Sequence, residues 1–325
     1  MLLKEPLMKK TSWVSILWFS LLHAAGIAAI AYWINFGFSF GNWMLFSALF
    51  LYSAFGITAG YHREVTHNSF AAIVIKVILL IGAASAFMGA VLGWTTNHRL
   101  HHKYSDQPGD PHSPREGFFW AHIGWLLRPY QYPKGELEKI VKDLENDRIL
   151  FWERRLYLLS PVLICIVLPL ALFGWEGLLL SGVLRMLSVY HVTWSINSLC
   201  HMPPGFFIKK LIDHARHMRL LNISLYIVMS PLWLALEFIL IFGRKPKNTN
   251  DNSRNNWLLG LPTLGESMHN DHHFDPKCAY HGSKLYHIDP TKWLIMAIQL
   301  TQISLRLVKI RLIWDIKMPR KSFSH

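Results

Sequence analysis

A stretch without a single Lys, Arg, Asp or Glu, residues 11–61, is the feature that most constrains how this chain can fold. As one helix it would be about 75 Å long at about 1.5 Å per residue, whereas the hydrocarbon core of a bilayer is about 30 Å thick. It therefore predicts two membrane spans. Residues 35–42 (NFGFSFGN) supply the turn between them, flanked by Trp33 and Trp43 at interface depth. The second span ends just before Tyr61-His62-Arg63.

A second pair of spans is predicted further along the chain. Residues 156–174 form an apolar run, residues 175–177 (WEG) form a polar break, and residues 178–197 return. Arg185 lies inside the return helix, where a charge is costly unless it snorkels to the interface or faces the bundle. The polar segment between the two pairs, residues 99–155, is predicted to be cytosolic.

Charge is scarce and unevenly distributed. Only 16% of the residues are charged, against about 25% in soluble domains. The net charge is +13, and basic residues border the apolar segments at Lys4, Lys9 and Lys10 and again over residues 306–321. This pattern is typical of a membrane protein with both termini in the cytoplasm beside anionic lipid. No recognition motif accompanies the charge, so we expect no nucleic-acid partner.

Histidine occurs eighteen times, and half of the copies fall into four motifs. The motifs are GYHREVTH with His62 and His67, NHRLHH with His98, His101 and His102, NSLCH with Asn197 and His201, and HNDHH with His269, His272 and His273. Helical residues at i, i+3 and i+4 share a face, so each HxxHH can direct three imidazoles to one point. His62 and His67 are five apart, and to share a face they need a helix end or a π-bulge.

Nine imidazoles in ordered motifs predict a metal site. They are too many for one tetrahedral zinc, and too few carboxylates accompany them for calcium or magnesium. Over two ions they give four or five ligands each, with positions left for water or O₂. Imidazole suits iron, copper, nickel and zinc, and a redox-active ion at the mouth of a membrane bundle favours iron.

The same site constrains two further apolar stretches, residues 71–94 and 220–243, which are each long enough to span. The histidine motifs can converge only if all of them lie on the cytosolic side. Residues 71–94 must therefore leave and re-enter on one side, as an interfacial or re-entrant segment bent near Gly82 or Gly89.

At these residues the chain resembles the membrane fatty acid desaturases, specifically the acyl-CoA Δ9 (stearoyl-CoA-type) desaturase family. The stretches GITAGYHREVTH, NHRLHHKYSDQPGDPHSPREGFFWAHIGWLL, VTWSINSLCH and GESMHNDHH look like its signatures, over residues 56–282 with one interruption. The resemblance implies an all-α integral membrane protein, with four transmembrane helices and a cytosolic helical cap that holds a di-iron histidine site. A single desaturase domain would cover residues 1–325.

The resemblance also implies roles for individual residues. All nine histidines of the motifs would ligate iron, and Asn197 would contact one ion through water. O₂ and two electrons would remove two hydrogens from adjacent methylenes of an acyl chain in a kinked tunnel, in unsaturated fatty acid biosynthesis. Trp94, Asn97 and Trp194 are predicted substrate-binding residues, although ordinary aromatic packing explains the two tryptophans equally well.

The chain departs from the family pattern in two places. Thr96-Asn97 precedes the second motif where animal relatives have Arg-Asp, which leaves acyl-CoA, acyl-lipid and acyl-carrier-protein substrates open. Residues 202–250 are an atypical insertion. A single crossing there would strand the last motif on the far side, so we predict a membrane-associated helix pair, re-entrant or on the surface, broken at Pro231.

The remaining histidines are predicted to be ordinary structural or surface residues. His214 and His217 in the insertion are expected on the surface. The same expectation covers His23, His112, His122, His191, His281, His287 and His325, although His112 and His122 fall within a family-like stretch and could support the ligands.

Two alternatives remain at this point. A histidine-motif hydroxylase of alkanes, sterols or carotenoids would share the ligands but insert oxygen, and a membrane metal- or haem-binding protein would bind without this chemistry. The sequence contains no GxGxxG loop, no CxxC pair and no fused cytochrome-like tail, so a separate cytochrome b5, ferredoxin or flavoprotein reductase would supply electrons. The preferred localisation is a bacterial inner membrane, with the active site cytoplasmic.

Overall fold

The computed structural model describes residues 8–71, 75–133, 135–216, 223–284 and 286–317. Within these ranges, the side chains of residues 214–216, 223–228 and 305–317 are outside the description. The predictions for Lys4, His214, His217 and His325 and for the two chain ends therefore lie outside the described residues.

The first apolar stretch folds as the predicted pair of helices, α1 (Trp13–Phe36) and α2 (Phe40–Phe55). The hydroxyl groups of Ser12 and Ser39 cap their first turns by accepting a backbone N–H three positions on. Gly37 ends α1 with a φ of +73°, a conformation that glycine adopts without steric cost. The expected turn within residues 35–42 is thus confirmed.

α2 continues directly into a π-helix over Gly56–Thr66. The N–H of His67 donates to the carbonyl of His62, five residues back, at 3.2 Å. With this wider repeat, residues five apart come to one face, which an α-helix would not allow. The prediction that the HxxxxH motif needs a helix end or a π-bulge is confirmed.

Among the described residues, three helices are long and apolar enough to cross a membrane: Trp13–Phe36, Phe40–Thr66 and Leu159–Leu199. The third has 41 residues and reverses at Gly174, whose φ of 59° and ψ of −146° are nearly exclusive to glycine. A Cβ at Gly177 or Gly182 would meet the carbonyl oxygen of Pro169 or Cys165, so the two arms pack against each other as a hairpin.

The hairpin is built from short α- and π-helical pieces that follow one another. They are α8 (Leu159–Pro161), a π-helix (Val162–Val167), α9 (Leu168–Gly177), a second π-helix (Leu178–Leu184) and α10 (Arg185–Leu199). Arg185 is fully buried at the start of α10. Its guanidinium donates to Ser53 Oγ at 2.6 Å and to the carbonyl of Ser85 at 3.2 Å. Arg185 was expected either to snorkel to the interface or to face the bundle, and it faces the bundle.

The segment 71–94 bends as predicted near Gly89. Helix α3 (Lys76–Ala84) is followed by a reversal in which Phe87 and Gly89 have φ values of 58° and 96°. Helix α4 (Val91–Tyr104) then carries the second histidine motif. The remaining cap elements up to the hairpin are a 3₁₀ turn (Pro114–Glu116), a π-helix (Trp120–Gly124), α5 (Trp125–Leu127), α6 (Glu136–Ile140), a second 3₁₀ turn (Lys142–Leu144) and α7 (Arg148–Leu156).

The insertion contains two helices, α11 (Phe206–Arg216) and α12 (Ile223–Ile241), which pack against each other. The predicted break at Pro231 is wrong, because Pro231 lies inside α12. A proline removes one hydrogen bond of a helix, and packing against a neighbouring helix can compensate for that loss. Glu237 of α12 accepts the backbone N–H of Phe207 at 3.0 Å, which ties α12 to the start of α11.

The end of the insertion and the chain after it complete the cap that carries the last histidine motif. Together they comprise β1 (Gly243–Arg244), paired antiparallel with β2 (Asn255–Asn256), a 3₁₀ turn (Trp257–Leu259), α13 (His269–Phe274) and α14 (Pro290–Lys317). The last histidine motif thus lies on α13, within the cap.

Candidate metal centre

All nine histidines of the sequence motifs meet in one region of the fold. The π-helix after α2 supplies His62, and His67 is its C-cap. α4 supplies three imidazoles, α13 supplies three, and His201 follows the end of α10. Four separate elements of the fold are therefore required to build the site.

Five of the imidazoles form one cluster, the five-histidine cluster, in which a nitrogen from each lies within 4.8 Å of the others. Its members are His62, His67, His98, His102 and His272. Neighbouring Nε2 atoms are 3.1 Å apart for His62 and His272, and 2.9 Å apart for His102 and His272. Two nitrogens about 2.1 Å from one ion and at right angles to each other are separated by about 3 Å. The spacing fits one metal ion.

The other four imidazoles form the four-histidine cluster. Its members are His101, His201, His269 and His273. The Nε2 atom of His269 lies 3.0 Å from that of His201 and 3.0 Å from that of His273. The Nε2 atoms of His101 and His273 are 3.3 Å apart. This cluster also has the dimensions of a single ion site.

The two clusters adjoin each other. His101 and His102 are neighbours in sequence and contribute to different clusters, and so do His272 and His273. The rings of His102 and His273 stack with their centroids 4.4 Å apart. Two ions held in this way would be neighbours, and the sequence alone could not divide the nine histidines between them.

Carboxylates stand behind four of the imidazoles and contact their Nδ1 atoms. His101 faces Asp110 at 3.0 Å, His201 faces Asp106 at 3.3 Å, His273 faces Asp251 at 2.6 Å, and His62 contacts Glu266. A carboxylate only accepts, so each Nδ1–H donates and leaves Nε2 free to face the cluster. The sequence analysis missed these carboxylates. Asp106 and Asp110 follow the second motif and could have been noticed, whereas nothing in the spacing of Asp251 indicates its role.

Six of the nine cluster imidazoles are held in their neutral form. Burial lowers the pKa of each well below the usual value, and the neighbouring imidazoles lower it further. These six are His67, His98, His102, His269, His272 and His273. A metal ligand must offer an unprotonated nitrogen, so the environment suits the cluster to metal binding.

A buried ionic network supports His62. Arg63 is fully buried and its Nη2 donates to Glu266 and to Asp289, each at 2.9 Å. Burial opposes ionisation of Glu266, but His62 and Arg63 outweigh it and hold the pKa of this carboxyl far below its usual value. Glu266 therefore stays charged and fixes the imidazole of His62.

His281 belongs to the same wall, although it was predicted to be an ordinary histidine. It is fully buried, its ring centroid is 4.4 Å from that of His272, and its Nδ1 lies 3.5 Å from Glu266. Neither of its ring nitrogens has a hydrogen-bond partner among the described residues. Its spacing in the sequence gives no signal of this position.

Four of the remaining described histidines fall into two groups, and His287 lies near Asp271, with its Nδ1 3.6 Å from the carboxylate. His112 is buried with its ring 4.3 Å from that of His101, so it supports the four-histidine cluster from behind. His122, His191 and His23 form a separate hydrogen-bonded chain outside both clusters, with nitrogen–nitrogen distances of 3.0 and 3.2 Å.

A cavity of about 530 Å³ reaches the five-histidine cluster from the start of α1. The residues predicted to bind substrate, Trp94, Asn97 and Trp194, all line it, together with His98 and Asn197. A narrower cavity of about 50 Å³ continues past Trp94, His98 and Asn197 to His62 and His269. Trp94 stacks on His98 with ring centroids 5.1 Å apart. Most of the lining is apolar, which suits an aliphatic chain.

The donor set fits a pair of imidazole-bound transition-metal ions. All nine cluster ligands are nitrogen donors, and the nearby carboxylates bind Nδ1 atoms instead of facing the cluster centres. Such sites suit iron, copper, nickel or zinc and do not suit magnesium or calcium.

Comparison with known proteins gives a consistent result. Residues 38–291 match the family model described as fatty acid desaturase. The chain is 30% identical over 275 residues to acyl-CoA desaturase 1 of Tachysurus fulvidraco, which covers 81% of this chain and 70% of that protein. It is 30% identical over 315 residues to an sn-1 stearoyl-lipid 9-desaturase of Synechocystis sp., covering 95% and 81% of the two chains. The corresponding protein of Anabaena variabilis is 30% identical over 309 residues, with 90% and 91% covered.

Proposed function

Because the chain belongs to the fatty acid desaturase family, and is therefore an oxidoreductase that desaturates fatty acyl chains, we propose that it introduces a double bond at position 9. The substrate would be a long-chain acyl group carried by CoA or by a membrane lipid, as the names of its relatives indicate for those proteins. The observation that carries this proposal is the pair of histidine clusters at the end of an apolar cavity.

The two clusters would hold two iron ions. The five-histidine cluster would bind one and the four-histidine cluster the other, with Asn197 reaching one of them through water. Iron bound there would supply the O₂-dependent removal of two hydrogens, with O₂ as co-substrate. The Nε2 spacings near 3 Å and the Nδ1 carboxylates support this assignment.

The residues of the cavity would position the acyl chain. Trp94 lies against His98 at the junction of the wide and narrow cavities, where its ring would position the acyl chain beside the five-histidine cluster. Trp194 is fully buried in the same wall, and Asn97 adds one of the few polar side chains. Excluding water from this junction confines the oxidation to the bound chain.

The chain would cross the membrane four times as a single domain over residues 1–325. The hairpin reversal at Gly174 supports this, because it converts the third long helix into two antiparallel arms. α11 and α12 would lie on the membrane as a helix pair, since Ile208, Ile212 and Phe238 expose apolar side chains. We propose a bacterial inner membrane, with the histidine clusters on the cytoplasmic side.

Electrons would come from a separate carrier: a cytochrome b5, a ferredoxin or a flavoprotein reductase. A polar groove of about 520 Å³ has His102 and His273 in its wall, one from each cluster. Lys103 also lines this groove, where it pairs with Glu136 at 3.0 Å. The basic cytosolic face as a whole would steer an acidic carrier.

The test is fatty acid analysis by gas chromatography–mass spectrometry in a desaturase-deficient host that supplies an electron donor. The host would express this chain or its His269→Ala variant. New monounsaturated acids with the double bond at position 9 in the intact chain alone would support the proposal. Hydroxylated lipids in their place would favour a hydroxylase, and a bond at another position would overturn the regiochemistry.

A further inference from the structure

A second groove lies outside the histidine site, between α3 and α7. It has a volume of about 440 Å³ and is almost entirely apolar. Ile81 of α3 and Trp152 and Leu156 of α7 line it with side chains that are otherwise exposed. Neither helix carries a histidine motif, so the desaturation reaction does not account for this groove.

Basic residues border the groove along α7. Arg148 lines the groove itself, and Arg154 and Arg155 follow on the same short helix. All three are exposed, and among the described residues none forms an ion pair with a carboxylate. Arg155 lies over the ring of Phe151, 4.4 Å from its centroid. By contrast, Lys76 at the start of α3 is neutralised by Asp147 at 2.8 Å. The unpaired arginines leave a positive rim beside an apolar channel.

The groove combines an arginine with a long apolar wall, which complements the anionic headgroup and the apolar chain of a lipid. Its lining runs along the chain from Arg148 to Ser160, about 18 Å if the path is helical. Ser160 lies in Leu159–Leu199, where the chain enters a candidate span, whereas Arg148 belongs to the cap. A headgroup at Arg148 would thus have its acyl chain directed towards the membrane-spanning end.

The inner wall of the groove is closed by Glu153, which is turned away from solvent. Its carboxylate accepts from Tyr61 Oη at 2.5 Å and from the backbone N–H of Val91 at 3.2 Å. Burial raises the pKa of Glu153, and the hydrogen bonds from Tyr61 and Val91 oppose that shift. Tyr61 precedes His62, and Val91 begins the helix of the second histidine motif, so this wall also braces both motifs.

We propose that the α3–α7 groove is a binding site for an anionic glycerophospholipid, with one acyl chain in the groove and the phosphate at Arg148. A zwitterionic lipid carries a cationic group that the arginine rim would repel, so the site discriminates by headgroup charge. The groove is distinct from the cavity that leads to the histidine clusters, and Tyr157 lines both.

The test is native mass spectrometry of the delipidated full chain with dioleoylphosphatidylglycerol or dioleoylphosphatidylcholine. The wild type retains the glycerol lipid in preference to the choline lipid. Arg148→Gln weakens that retention about fivefold, the value expected for one arginine at a lipid surface. Lys139→Gln, an exposed cap cation away from the groove, leaves it unchanged.

A second pair of variants tests the acyl-chain position. Ile81→Trp fills the groove and abolishes selective retention, whereas Leu163→Trp, at an exposed position outside the groove, does not. Equal retention of the two lipids by the wild type, or retention that survives Ile81→Trp, overturns the proposal. Arg148→Gln is a surface change, so its result stands even if Ile81→Trp lowers the stability of the protein.

Discussion

At the scale of single residues, the carboxylates behind the imidazoles set the geometry of the site. An imidazole that donates its Nδ1–H to a fixed carboxylate holds its Nε2 lone pair in one direction. Asp251 does this for His273 at 2.6 Å, and it is held in turn by Ser253. Burial raises the pKa of Asp251. Hydrogen bonds from Ser253 and the electrostatic effect of nearby His201 outweigh burial, so the pKa of Asp251 lies below its usual value.

Asp251→Asn should weaken metal binding at the four-histidine cluster, because the amide cannot stabilise the same tautomer with the same strength. Loss of such a partner reduces metal affinity by about 10- to 100-fold. Iron retained after dialysis against a graded series of chelator concentrations measures the effect. Asp275→Asn, an exposed neighbour of α13, is the control. Equal retention in the two variants would show that Asp251 does not orient a ligand.

Eight of the nine histidines could be predicted from sequence because their spacing within three motifs brings them to common faces of α- or π-helices, whereas His201 was assigned by the family resemblance. Asp106 and Asp110 could have been noticed beside the second motif, but Asp251 could not, since it meets His273 only when the segment after the insertion folds over α13. His281 was missed for the same reason: it lies in a loop, where no periodicity reports burial.

At the scale of elements, two departures from regular α-helix shape the metal site and the hairpin: the π-helix Gly56–Thr66 and the reversal at Gly174. The π-helix was predictable because five-residue spacing conflicts with the α-helical repeat. The continuation of α12 through Pro231 was not, because it depends on packing against α11. The reversal at Gly174 lies at the end of the predicted run 156–174, where a polar break was expected.

Thr66→Val should loosen the contact between the two motif-bearing helices. Thr66 Oγ1 donates to the carbonyl of Tyr61 at 2.7 Å and lies 3.0 Å from Thr95 Oγ1 on α4. Valine keeps the shape but leaves the buried Thr95 hydroxyl without this partner, at a cost of about 1–3 kcal/mol. The unfolding temperature should fall, whereas Thr301→Val, whose hydroxyl bonds only within α14, should change it little. Equal effects of the two variants would contradict this role.

Gly174→Val should destabilise the hairpin by about 1–3 kcal/mol, because a β-branched residue strains at a φ of 59° and a ψ of −146°. Thermal unfolding in detergent measures the change. Gly93→Ala is the control, since Gly93 has no positive φ and a Cβ there meets open space. If Gly174→Val unfolds at the wild-type temperature, the chain does not reverse at this glycine.

At the scale of the whole molecule, buried neutral imidazoles make the fold sensitive to acid. Six cluster histidines have a pKa well below the unfolded value of about 6.5, so below that pH the unfolded chain binds protons that the folded chain does not. These histidines therefore do not reduce the free energy of unfolding above about pH 6.5, and they reduce it progressively as the pH falls below that value. His101 opposes this trend, because burial lowers its pKa but Asp110 outweighs burial and raises it.

The unfolding temperature of the metal-free protein should consequently fall steeply between about pH 7.5 and 5.5. His272→Gln removes one of the six groups and should make the dependence shallower, measured by the same thermal scan at each pH. A wild-type unfolding temperature that is constant or rises over this interval would contradict the burial of neutral imidazoles.

The most direct test of the central claim, two ions held by five and four histidines, is the iron content of the purified full chain by inductively coupled plasma mass spectrometry. We expect about two irons per chain in the wild type. His98→Ala in the five-histidine cluster and His269→Ala in the four-histidine cluster should each lower that number. One iron per chain in an active preparation, or two irons retained by both variants, would contradict the account.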